Sequence, residues 1–135
     1  MKQWVIDTNV VVSGLLVPQG PSARVLDAVL DGRVKLVYDA RILAEYRDVL
    51  HRPRLKLASE KVEAFLIALR GQMSVTPHAV RAAAPDAADV VFVEAALATV
   101  DQTIVTGNLA HFPPGILHGA RILTPAQAVA ELAQM

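Results

Sequence analysis

Trp4-Val5-Ile6-Asp7-Thr8-Asn9 decides the reading of this chain. A short run that is apolar at every position is typical of a strand buried on both faces of a parallel sheet. The run meets an aspartate at once. In an open α/β sheet the carboxyl ends of the strands border the ligand crevice, which places Asp7 at its edge. Asp-Thr-Asn is also good turn chemistry, so Asp7 by itself reads equally as a turn or helix-cap residue.

Working outward, the pattern of a strand followed by helical sequence repeats. Ser22 can cap a helix to about Leu30, ended by Gly32, and Lys35–Tyr38 reads as a second strand. Asp39 caps a helix over Ala40–Leu50, which Pro53 stops. Ser59 can cap another helix, reaching about Arg70, and Met73–Val75 is a short strand candidate. Pro85-Asp86 opens a helix to about Ala98, then Thr103–Val105 reads as a strand, followed by a loop rich in Gly, Pro and His. Arg121–Leu123 is the last strand, and Thr124-Pro125-Ala126-Gln127 is a capping box with proline at the first helical position. Such alternation predicts an α/β fold with a parallel sheet of four or five strands flanked by helices. No repeat, low-complexity tract or linker interrupts it, so residues 1–135 read as one domain.

Composition narrows the function. The 13 basic and 13 acidic residues cancel, which excludes a globally basic nucleic-acid coater and leaves any polyanion to a local patch. With no cysteine there is neither a disulfide scaffold nor a thiolate metal site, which fits a reducing, cytoplasmic setting. Met1-Lys2-Gln3-Trp4 does not read as a signal peptide. The longest uncharged stretches, Thr8–Ala23 and Gln102–Ala120, are broken by Gly, Pro and Asn, so no membrane span is expected. An apolar share of 53% favours extra buried surface such as a dimer interface.

Three acids stand where apolar residues belong. Glu45 shares a helical face with Ile42, Tyr46 and Val49, and Asp89 shares one with Phe92, Val93, Ala96 and Leu97. A buried unpaired carboxylate is costly, so each needs compensation. For Glu45 that is an ion pair with Arg41 or Arg52, or a metal. For Asp89, as for Asp86, the dipole at the helix start is an alternative. Taken with Asp7, they form the oxygen-donor set that a hard divalent cation such as Mg2+ uses beside substrate phosphates. The inferred chemistry is metal-dependent phosphodiester hydrolysis.

Asp7-Thr8-Asn9, Ser13-Gly14-Leu15-Leu16, Arg41-Ile42-Leu43-Ala44-Glu45-Tyr46, His51-Arg52-Pro53, Pro85-Asp86 with Asp89, Phe92 and Glu94, Thr106-Gly107-Asn108 and Leu123-Thr124-Pro125 together resemble the PIN-domain family. The likeness is strongest to the branch of VapC-like toxin components of toxin–antitoxin systems. It implies a three-layer α/β/α domain and a Mg2+- or Mn2+-dependent ribonuclease acting on single-stranded RNA, often dimeric and held inactive by a cognate antitoxin. Carried over by position, Asp7, Glu45 and Asp89 match the core acids and Asp86 an accessory acid. Asn9 would orient Asp7 or a metal-bound water; Thr8, Ser13, Thr106 and Asn108 are accessory positions. Two departures matter. Asn108 stands where many members carry Asp, and Ala87, Ala88 and Val90 thin an acid-rich run. Both reduce negative charge and leave open an inactive module that binds RNA or a protein partner.

Arg47, Arg52, Arg54 and Lys56 follow Glu45 and form a candidate RNA-facing patch, or else an ordinary solvated surface. The four histidines lack helical metal-ligand spacing and read as surface or loop residues, with His111 a candidate for the mouth of the cleft. Apolar residues at helical spacing, Val62, Phe65, Leu66 and Leu69, read as core or dimer interface. No phosphate-cradling glycine loop is present. An aspartyl phosphatase fits poorly, because Asn9 occupies the position where that chemistry usually wants a second Asp.

Overall fold

The computed structural model describes residues 1–80 and 87–135, the side chains of Ala87 and Ala88 excepted. Five strands, β1 (Lys2–Ile6), β2 (Val34–Tyr38), β3 (Met73–Ser74), β4 (Thr103–Val105) and β5 (Arg121–Leu123), form one sheet in the order β3-β2-β1-β4-β5. Every pairing is parallel, with Val5 opposite Val37 on one side and Ile104 on the other. Parallel neighbours require crossovers, and helices supply them: α1 (Thr8–Leu16) and α2 (Pro21–Leu30), α3 (Ala40–Leu50) and α4 (Ser59–Ala68), α5 (Ala87–Leu97), and the short α6 (Pro114–Leu117). A last helix, α7 (Pro125–Leu132), packs on α2, while α5 lies against β1, β2 and β4. This is the α/β sheet flanked by helices that the alternation implies.

The middles of the central strands are apolar because both of their faces are covered. Trp4, Val5, Ile6, Leu36, Val37, Ile104 and Val105 are all completely buried. Val62, Phe65, Leu66 and Leu69 are buried too and belong to this same core. Two caps are as expected. Asp39 accepts from the Arg41 and Ile42 amides at 2.9 and 3.0 Å, and Thr124 forms its capping box with Gln127.

Two other caps differ. Helix α2 begins at Pro21, whose fixed φ suits the first helical position, so Gly20 takes the cap and Ser22 is buried inside the helix. Helix α4 begins at Ser59 itself, with Ala58 before it and no side-chain cap. The stretch after β4, expected as loop, contains a turn of 3-10 helix at Leu109–His111 and then α6. The Pro85-Asp86 helix start lies outside the described residues.

Candidate active site

Strand order places β1 and β4 side by side with their successors on opposite sides, the topological switch point of an open α/β sheet. Asp7 leaves β1 there and Thr106 leaves β4. The Asp7 amide donates to the Val105 carbonyl at 2.9 Å, and the Thr106 hydroxyl donates to Asp7 Oδ2 at 2.7 Å. Asp7 occupies the cap position of α1, yet its carboxylate makes no cap bond and is held by Thr106 instead. Burial pushes its pKa up; the Thr106 hydroxyl, the nearby Asn9 and Thr8 amides and His111 pull the other way.

Helix α3 delivers Glu45 to the same place. The next residue, fully buried Tyr46, donates its hydroxyl to the Ile6 carbonyl, which fastens α3 beneath the end of β1. Glu45 Oε2 accepts from the Thr8 hydroxyl. Burial raises the Glu45 pKa, and the charges of Asp7 and Asp89 raise it further, against the opposing Thr8 bond and Arg52. Asp89, in the first turn of α5, has Oδ1 3.8 Å from His111 Nδ1.

These acids line one cavity of about 310 Å³, shared with Thr8 and Asn9. Val12, Val49, Leu55 and Phe92 give it apolar walls, and the exposed Arg52, Arg54 and His111 complete the lining. A groove of similar volume, about 330 Å³, runs between α1, α2 and α4, but Asp27 and Lys61 are the only ionisable groups along it. A third hollow, of about 360 Å³, is lined by Arg24, Asp27, Asp31 and Arg33, but only the acid-lined cavity brings together carboxylates from separate elements at the switch point.

The remaining candidates are distributed. Ser13 is exposed on α1, outside the cavity. Thr106 lies behind Asp7, and the Asn108 amide donates to the Thr106 hydroxyl at 3.0 Å, so Asn108 reaches the site through its backbone. Arg52 and Arg54 line the cavity, whereas Arg47 lies in a separate depression with Glu63 and Arg70, and Lys56 in another with His51. Asp86 lies outside the described residues.

The ion-pair alternative for Glu45 takes a different form. Arg41 turns to Asp39 (2.9 Å) and Glu94 (2.8 Å), and Arg52 bonds Asp48 (2.9 Å). Sequence reasoning missed the Arg41–Glu94 link entirely. His111, the candidate for the mouth of the cleft, does line the cavity.

The donor set is oxygen-rich and thiolate-free, as a hard cation requires. Among the described residues no group of three or more His, Asp or Glu side chains converges closely enough to grip an ion unaided.

A model of the PIN domain matches residues 3–110, and the chain belongs to the PIN-domain family. PIN domains are typically nucleases and generally bind divalent metals, which supports a hydrolase role here. No curated protein and no solved structure gave a match. No helix among the described residues is long and apolar enough to cross a membrane.

Proposed function

We propose that this chain is a divalent-metal-dependent endoribonuclease that cuts single-stranded RNA. The observation that carries the reading is the placement of Asp7, Glu45 and Asp89, from three different elements, on one cavity flanked by Arg52 and Arg54. Asp7, Glu45 and Asp89 would hold Mg2+ or Mn2+, with Asn9 beside them. When bound, such an ion supplies an activated water and offsets charge on the phosphodiester. The protein's own contribution is orientation. Thr106 fixes Asp7, Thr8 fixes Glu45, and Arg52 and Arg54 draw the RNA backbone toward acids that would otherwise repel it.

The test is cleavage of single-stranded RNA by purified protein with Mg2+ or Mn2+, with EDTA and Asp7→Asn as controls. Activity that persists in Asp7→Asn belongs to a contaminant and removes the reading. The same proposal takes the chain as a single cytoplasmic domain that forms a homodimer and serves as the toxin of a toxin–antitoxin pair. A small antitoxin gene beside its own would support the toxin role.

A second reading, a catalytically silent module that binds RNA or a protein partner, is favoured by Asn108 and by the engagement of Glu45 with Thr8. Calorimetry with Mn2+ separates the two: a metal site that is lost in Asp89→Asn counts against the silent module.

A further inference from the structure

The chain leaves α3 through a hydrogen-bonded turn that carries Arg52, Arg54 and Lys56. Pro53 starts a single turn of 3-10 helix, Pro53–Leu55, and backbone bonds close it on each side: Arg52 to Val49 at 3.1 Å, Leu55 to Arg52 at 3.1 Å and Lys56 to Pro53 at 3.1 Å. Lys56 ends the turn at φ 52°, the left-handed region that residues with a Cβ seldom occupy. That backbone angle sets the direction in which the Lys56 side chain leaves the turn.

This turn separates two depressions. Arg52 and Arg54 line the acid cavity. Arg52 also lines a neighbouring hollow of about 150 Å³, together with His51, Pro53, Lys56, Leu57 and Ser59. No acid lines that hollow. Two neighbouring carboxylates are engaged with its cations: Asp48 bonds the Arg52 guanidinium, and Glu63 meets His51 Nε2 at 2.9 Å. His51 Nδ1 bonds the Arg47 carbonyl, so both ring nitrogens are engaged in a way that suits an imidazolium. Lys56 itself makes no ion pair among the described residues.

From this geometry we infer that the hollow bounded by Arg52 and Lys56 is a second phosphate subsite, which takes the backbone of the RNA strand one step beyond the acid cavity. Arg52, common to both depressions, is the hinge of that track. The inference rests on the nuclease reading of the acid cavity and adds to it a direction for the strand. Pro53 and Leu57 give the hollow apolar surface for a sugar or base to cover, while the phosphate contact itself carries no sequence information.

The experiment measures binding of a single-stranded hexanucleotide and of a dinucleotide by anisotropy over a range of salt, with Mg2+ present and in the Asp7→Asn background to keep the RNA uncut. Adding Lys56→Gln is expected to weaken the hexanucleotide several-fold and to reduce the slope of log K against log salt by about 0.7, the share of one single-strand phosphate contact. The dinucleotide, confined to the cavity, should bind unchanged, and Lys56→Arg should keep the native slope. Lys2→Gln, at the opposite end of β1 from Asp7, should leave the slope alone.

An unchanged slope and affinity in Lys56→Gln overturns the subsite. No hexanucleotide binding at all overturns both the subsite and the RNA reading of the cavity. Binding that depends on Lys56 in a protein that never cleaves RNA with Mn2+ keeps the subsite and removes the nuclease.

Discussion

The Thr106 hydroxyl donates to Asp7 Oδ2 at 2.7 Å across the seam between β4 and β1, while its oxygen accepts the Asn108 amide at 3.0 Å. The second bond commits the hydroxyl proton to Asp7, so the loop after β4 sets the orientation of an acid on β1. Thr106→Val keeps the shape and removes the donor. Losing a buried hydrogen bond to a charged group should cost roughly 1–3 kcal/mol in urea unfolding. Groups that orient a metal ligand typically govern affinity by about 10–100-fold, so Mn2+ binding measured by calorimetry should weaken within that range. Native Mn2+ affinity in Thr106→Val would show that the backbone alone places Asp7.

Asp7 and Glu45 both have raised pKa values, with burial the leading cause. From about pH 4 upward, where the unfolded carboxyls ionise, the folded metal-free chain holds more protons than the unfolded one. Their contribution to stability is therefore full below that range and is lost as pH rises through the folded-state values. Asp7→Asn removes one such group. Its Tm in EDTA should exceed that of the native chain at pH 7, and the gap should close as pH falls toward 4. Mn2+ should raise the native Tm more than the variant's, since only the native cavity has its full charge to offer. A gap that does not change with pH would contradict the raised Asp7 value.

Much of this was legible from short stretches of chain. The run Trp4–Ile6 announces a doubly covered strand, and Asp39 and Thr124 announce helix starts, because those signals are local. Glu45 and Asp89 showed themselves by breaking an apolar face. Periodicity places a residue on a face but says nothing of its partner on another element. For that reason Arg41 was not assigned to Glu94, 53 residues away, nor Thr8 to Glu45, 37 away. The basic segment was visible as a segment, but Arg47 faces a depression beside α4, and the split of Arg54 from Lys56 depends on one 3-10 turn that composition does not reveal.

Arg41 ties α3 to α5 by bonding Glu94, whose side chain is 12% exposed and whose other oxygen accepts the Val80 amide at 3.0 Å. Arg41→Met keeps the packing of the stem and leaves Glu94 with the amide alone. The Arg41 side chain is 43% exposed, so solvent discounts the pair, and the expected loss is about 1–2 kcal/mol in urea unfolding. Arg41→Met combined with Glu94→Gln should recover part of it, because the uncompensated charge is then gone. Additive losses in the double variant would mean that the two side chains act independently.

Gly14 sets two opposing effects against each other. In the interior of α1 an alanine would gain up to about 1 kcal/mol from helix propensity. Its Cβ, however, would stand 2.5 Å from Leu26 Cδ1 and 3.1 Å from the Ser22 carbonyl oxygen on α2. Leu26 Cδ1 is the end of a flexible side chain beside the groove between α1, α2 and α4, but the Ser22 carbonyl belongs to the backbone and must itself give way. Overpacking of this kind costs roughly 1–3 kcal/mol, which outweighs the propensity. Gly14→Ala should therefore lower Tm by a few degrees while leaving Mn2+ affinity unchanged, since Asp7 is held by Val105 and Thr106 rather than by the far end of α1. A higher Tm in Gly14→Ala would mean that α2 yields to the added methyl and that propensity wins.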